Sequence, residues 1–336
     1  MDKAQRSKFT KIAAGIAAAA VVVLGGMYIA GSASGSVPPA TVDFANISAE
    51  QKQKLFDRGR QVFRAADCAA CHSSPTTGAE LAGGMAMVTP MGTLYGTNIS
   101  PSREHGIGQW SADDLYRAVA RGMAPGRKNL YPAMPYASYH DITRADVDAL
   151  WVWLQAQPAV EVANRQPEMN FPFSIRPGLA LWNVLERPAG APAPEASNSL
   201  ERGAYLVNTL GHCGECHTPR TSSFAMDLRK SLAGNVIEGA YAPDLRPKAM
   251  AERGWSEQDL VQFLRTGLSP QGVMTMGMFP VLQHSSAHME EADLKAMAAY
   301  LMQGEKPSVK LAAEAPQTPT SANGERIYVC LLYTSP

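Results

Sequence analysis

The sequence predicts an all-α chain: two small helical domains in tandem behind an N-terminal apolar helix. Three observations predict it. Apolar residues recur at helical spacing, as in "ADVDALWVWLQ", where Val147, Leu150, Trp151 and Leu154 share one face, and few stretches alternate as strands do. Proline and small residues mark joints at "GSASGSVPPA", "RPAGAPAPEASNS" and "KPSVKLAAEAPQTPTSANG". The two segments between those joints are versions of each other. The expected organisation is a targeting or anchoring segment with its linker over 1–45, a first domain over 46–160, a linker over 161–198, a second domain over 199–305, and a further linker from 306 onward.

The chain begins with "MDKAQRSKFTK", which carries Lys3, Arg6, Lys8 and Lys11 against one acid, and then runs from Ile12 to Ala30 without a charge. This is an export signal. The run exceeds the roughly 7 to 15 residues of a cleavable signal core and approaches the roughly 20 that span a bilayer, which predicts a retained anchor. Against that, "GSA" at Gly31 to Ala33 offers small residues at a cleavage point. In either case the basic flank holds the first residues in the cytoplasm and sends everything after Ser32 across the membrane. Beyond this flank the chain is neutral, with 30 Lys+Arg against 30 Asp+Glu and no basic stripe, which removes the electrostatic case for nucleic acid.

The repeat is visible in register. Cys68 stands as far before Trp110 as Cys213 stands before Trp255. Those tryptophans open "WSADDLYRAVARG" and "WSEQDLVQFLRTG", each with a Ser N-cap, an acid in the first turn, an apolar face and a closing glycine. Each copy then passes through a methionine-bearing loop to a last helix, "ADVDALWVWL" or "ADLKAMAAYL". Upstream of the cysteines lie "DRGRQVF" and "LERGAYLV", in which Gly59 and Gly203 are expected to start a short apolar helix.

Four of the five cysteines sit in "CAACH" and "CGECH", as Cys68, Cys71, Cys213 and Cys216, followed by His72 and His217. Both thiols of a CxxCH can add across the two vinyl groups of one haem while the adjacent histidine rises under the iron as its proximal ligand. Two covalently bound haems c are therefore expected. A zinc site would need both pairs on one metal, although each belongs to its own repeat, and a redox dithiol has no need of the histidine.

The sixth ligand decides what such a haem can do, because His/Met ligation fills both axial positions and restricts the iron to electron transfer. Most of the 16 methionines are expected to be core filler. Register selects Met134 in "YPAMPYASY" and Met278 in "MTMGMFPVLQHSS", at nearly equal distances after Cys68 and Cys213, with Met276 as the rival of Met278. The metal ligands expected are His72, Met134, His217 and Met278. His105, His140, His212, His284 and His288 share no metal-like spacing and read as surface or satisfied polar residues; His284, near the Met278 loop, is the one that would make the second haem bis-His. No Ser/His/Asp arrangement, phosphate loop or dinucleotide fingerprint is present, so no catalytic residue is assigned.

The stretches "GTNISPSREHGIGQWSADDLYRAVARGM", "LYPAMPYASY" and "NFPFSIRPGLALWNVL" resemble the cytochrome c subunit of membrane-bound periplasmic alcohol, gluconate, sorbitol and aldehyde dehydrogenases, over roughly Ser48 to Gly304. The inter-haem "IRPGLALW" and the loop at Asn98 are its more specific parts. The resemblance implies class I cytochrome c folds in tandem and a separate catalytic subunit bearing pyrroloquinoline quinone, flavin or molybdenum, with electrons passing on to ubiquinone in the membrane. It also implies haem roles for Cys68, Cys71, His72, Met134, Cys213, Cys216, His217 and Met278. Two alternatives are a di-haem subunit of a terminal cytochrome oxidase, which predicts more tightly spaced haem segments, and a di-haem peroxidase, which needs an open or displaceable axial position.

Relatives of this kind carry three haem segments, and the closing "SANGERIYVCLLYTSP" starts as the others do: Gly324, Ile327 and Tyr328 follow a Pro-rich linker as Gly203 does. The natural gene is expected to continue past Val329 into a third haem domain. Cys330 arrives too early and without a second cysteine or histidine, so residues 330–336 are expected to be a sequencing artefact.

Overall fold

The computed structural model describes residues 3–33, 35–188, 193–237 and 239–308. The expectations placed on Gly324 to Pro336 lie outside these. The first helix, α1 (Lys3–Gly31), contains an apolar span from Lys11 to Gly31 long enough to cross a membrane. After an extended stretch, Ser48 caps α2 (Ala49–Ala65) through a capping box with Gln51. Asp67, in the left-handed region at φ 50°, breaks the chain direction before the short α3 (Cys68–His72). A hairpin of β1 (Ala86–Thr89) and β2 (Gly92–Tyr95) follows.

The predicted Ser–acid–glycine helix is α4 (Ala112–Arg121). Ser111 and Asp114 form a capping box, and Gly122 closes the helix at φ 63°. Two-residue strands β3 (Met123–Ala124) and β4 (Lys128–Asn129) then lead into the Met134 loop and α5 (Arg144–Gln155). Helices α2 and α5 cross at Gly59, where a Cβ would collide with the Ala149 carbonyl and the Trp153 side chain. This corrects the role read for the glycine. Gly59 lies well inside α2 and does not start it; its missing side chain lets two backbones touch.

The stretch 161–198, read as a linker, carries β5 (Glu168–Met169), which pairs with β2, and α6 (Gly178–Glu186), which packs against α1. The second copy repeats the plan. It contains α7 (Ser199–Tyr205), which continues through a π turn at Leu206–Leu210, then α8 (Gly214–His217) and a hairpin of β6 (Asn235–Ile237) and β7 (Ala240–Ala242). Next come α9 (Pro247–Glu252) and α10 (Glu257–Thr266), the latter with its own capping box at Ser256 and Asp259 and with Gly267 at φ 75°. A minimal pairing of β8 (Leu268–Ser269) and β9 (Gly272–Val273), then α11 (Phe279–His284) and α12 (Glu291–Met302), complete it. Gly203 meets Ala296 of α12 as Gly59 meets Ala149.

Helices build the core, but the expectation of an all-α chain is incomplete: four small antiparallel sheets accompany them among the described residues. Their strands are two to four residues long, too short for alternation to register in the sequence. Buried side chains of both repeats, including Phe63, Tyr116, Val147, Leu206, Leu294 and Met302, belong to one continuous cluster.

Candidate functional site

Each attachment motif forms its own short helix, α3 or α8, at the end of the helix that crosses the repeat's last helix. Cys68 and Cys213 pack against the core, whereas Cys216 faces outward. Burial pushes the Cys68 and Cys213 thiols up to about 12 and Cys71 to about 11, with Asp67 adding to the effect at Cys68 and Cys71. Among the described residues, no group of three or more His, Cys, Asp or Glu is arranged to hold a metal ion.

The histidines carry the clearest geometry. His72 Nδ1 lies 2.6 Å from the Thr97 carbonyl oxygen, and His217 Nδ1 lies 2.7 Å from that of Pro243. A carbonyl only accepts, so Nδ1 carries the proton and donates, leaving Nε2 with its lone pair free. That is the tautomer and orientation of an iron-ligating imidazole. Burial lowers both histidine pKa values, which keeps the rings neutral as a ligand must be.

The hairpins explain how the carbonyls arrive. Thr97 follows β2 and Pro243 follows β7, so in both repeats the chain leaving the second strand presents its carbonyl to the histidine. Gly96 makes the first approach possible, because a Cβ there would collide with the Cys71 carbonyl. The Gly83 and Gly234 amides, in turn, donate to the His72 and His217 carbonyls. The paired thiols beside the histidine, the free Nε2 and the backbone-fixed ring fit a covalently held haem.

The methionines fall into different settings. Met134 and Met278 are half-buried and pack, as Cys68 and Cys213 do, against the core cluster. Met276 is 67 % exposed, and Met274 is buried. His284 has Arg64 and Glu80 of the first repeat and His288 as its charged neighbours, and it sits on α11, which packs against α3 of the other repeat.

The family model for cytochrome c matches residues 56–157 and 200–305. The chain belongs to the cytochrome c family. It is similar to a nicotinate dehydrogenase subunit of Pseudomonas putida, 42 % identical over 82 % of this chain and 24 % of that protein. It is similar also to the fructose dehydrogenase cytochrome subunit of Gluconobacter japonicus, 38 % identical over 78 % of this chain and 54 % of the relative. The gluconate 2-dehydrogenase cytochrome c subunit of Pantoea cypripedii is 40 % identical over 78 % of this chain and 62 % of the relative. The cytochrome thus spans less than two thirds of the length of each.

Several residues of these cytochrome sites were not legible in the sequence. Thr97 and Pro243 act through backbone carbonyls, which no side-chain motif reveals. His212, read as a bland polar residue, stacks edge-on against Tyr139 with ring centroids 5.5 Å apart, and burial lowers its pKa. Tyr139 donates its hydroxyl to the Ala66 carbonyl at 2.6 Å, and Ser138 donates to Glu215 at 2.7 Å. The available signal was position: His212 directly precedes Cys213, and Ala66 stands two residues before Cys68. Asp67 was also missed. It has one buried oxygen without a hydrogen-bond partner, and burial raises its carboxyl pKa to about 7.

Proposed function

We propose that the protein is a two-haem c-type cytochrome on the periplasmic side of the bacterial cytoplasmic membrane. It takes electrons from a partner dehydrogenase subunit acting on an alcohol, sugar, polyol or aldehyde, and passes them toward ubiquinone or the respiratory chain. Cys68, Cys71 and His72 hold one haem c with Met134 as the second axial ligand; Cys213, Cys216 and His217 hold the other with Met278. A haem iron closed by two axial ligands gains and loses single electrons without exchanging a ligand. The chain's own residues supply the conditions for this: His72 and His217 are fixed by backbone carbonyls, and the Met134 and Met278 side chains pack against the core. Oxidation of the organic substrate belongs to the partner, whose cofactor would be pyrroloquinoline quinone, flavin or molybdenum.

The observation that carries this reading is the meeting of the two attachment segments. The Tyr139 ring contacts His212, beside Cys213, while its hydroxyl holds the Ala66 carbonyl, beside Cys68. Two carriers joined this way suit relay within one chain.

One preparation of the holoprotein tests the proposal. Its oxidised spectrum should show the near-infrared methionine-to-iron band at a strength corresponding to two haems, and Met134→Ala and Met278→Ala should each remove about half. A band that survives Met278→Ala and is halved by Met276→Ala overturns the assignment of the second ligand. The same sample should stay oxidised with ethanol, aldoses or gluconate until a dehydrogenase subunit is added; reduction by substrate alone overturns the carrier role.

A further inference from the structure

The foot of α1 is built into the folded domain. Gly31 is buried against Ala180 of α6, so closely that a Cβ would collide with the Ala180 backbone. Asn183 of α6 donates to the Gly31 carbonyl at 3.3 Å, Asn129 donates to the Ser32 hydroxyl at 3.3 Å, and Arg187 donates to the Ala33 carbonyl at 2.7 Å. Asn183 is itself buried, accepts from the Tyr136 hydroxyl at 2.8 Å and donates to Asn129 at 3.1 Å. The small residues that read as a cleavage point are therefore held by three side chains from two separate segments. Removal of α1 would strip hydrogen-bond partners from a buried amide.

The same contact fixes α6 relative to a bilayer. The apolar span ends at Gly31, and α6 packs along the last turns of α1, where Met27 is half-buried. That level is the boundary between acyl chains and headgroups. α6 turns Leu179, Ala180 and Asn183 inward and leaves Leu181, Val184 and Leu185 outward, Leu185 being 64 % exposed. The segment leading into it adds Phe171, 81 % exposed, with Phe173 and Ile175. The outward side of this short helix, packed against the end of the membrane span, offers an apolar surface at the depth an interfacial helix occupies. Cations flank it: Arg127 and Lys128 are exposed beside Asn129, and Arg176 donates to the Asn129 carbonyl and lies over the Tyr131 ring. Basic and aromatic groups at this level suit anionic headgroups.

We propose that α1 remains in the mature protein and that the apolar strip from Phe171 to Leu185 rests in the outer leaflet of the bilayer α1 crosses, giving a membrane span with an in-plane foot. The foot sets the orientation of the domains. Tyr136 and Tyr131, which flank Met134, bond Asn183 and the Phe173 carbonyl, so the Met134 loop lies on the membrane side. This orientation goes beyond the electron-carrier reading and does not depend on it.

The test uses the 336-residue holoprotein with Cys330→Ser, a spin label on Leu185→Cys, and vesicles of equal parts phosphatidylcholine and phosphatidylglycerol. The label should collide with dissolved oxygen several-fold more readily than with a water-soluble nickel complex, and a label on Phe171→Cys should behave alike should the first variant fold poorly. Free access of the nickel complex overturns the proposal, and so does a label shielded from both reagents, which would mean that protein covers the strip. Intact mass should include α1; a mature chain beginning at or after residue 34 also overturns it. Label uptake beyond one per chain would mean that the attachment cysteines are free, which defeats the haem reading and leaves this proposal standing.

Discussion

A methyl group added at Gly59 would run into the Ala149 carbonyl, and one added at Gly203 would run into that of Ala296. In each case the obstacle is backbone in the facing helix, which cannot rotate away as a side chain can. Gly59→Ala and Gly203→Ala should therefore each push a helix pair apart and cost about 1–3 kcal/mol, as overpacking of a tight contact does. Denaturant titration should show a lower midpoint at unchanged slope; a gain in stability of the kind a helix-interior Gly→Ala gives in open space would contradict the crossing. The role of these glycines was illegible in the sequence for a physical reason. The repeat exposed the position, but the need for it comes from a helix some 90 residues further on in each repeat.

At the scale of elements, the best-read parts are those whose determinants are local. Ser111 with Asp114 and Ser256 with Asp259 lie within one turn, and both capping boxes and both left-handed closing glycines are where the sequence put them. Ser111→Ala or Ser256→Ala should each remove the hydroxyl's bonds to the Asp114 or Asp259 amide and carboxylate and cost about 1 kcal/mol, measured by thermal or denaturant unfolding against the parent protein. A cost near zero at both positions would mean that tertiary packing alone fixes these helix ends. Elements defined by a distant partner were read poorly. The strands are too short to show alternation, yet β2 and β7 deliver the carbonyls that orient His72 and His217. α6 sits in a stretch that reads as linker because its packing partner, α1, is far away at the other end of the first repeat. The CxxCH motifs stand out in the sequence because covalent haem attachment demands adjacent positions; the histidine's carbonyl partner does not, since any residue can supply it.

The largest scale is the joining of the repeats, and Asp146 shows how firmly it is done. This carboxylate is 2 % exposed and accepts from Arg58 Nε at 2.6 Å and from the Tyr205 hydroxyl at 2.6 Å. Tyr205 belongs to α7 of the second repeat, and its oxygen also accepts from the Thr143 amide at 3.2 Å. Ser138 with Glu215 and Gln61 with Glu290 add further bonds across the same boundary. A buried carboxylate deprived of one donor keeps its desolvation cost, so Tyr205→Phe should destabilise the protein by about 1–3 kcal/mol although the ring still fills its place. Because both repeats share one core, that loss should fall on the whole molecule. Haem absorbance and far-ultraviolet circular dichroism should report one coincident transition in the parent, shifted as a unit in the variant. Two separate transitions in the parent would show that the repeats fold independently. The contacts between Tyr139, His212 and Ala66 would then join two separately melting domains, and Tyr205→Phe would shift only the first transition, in which its bond to Asp146 is lost.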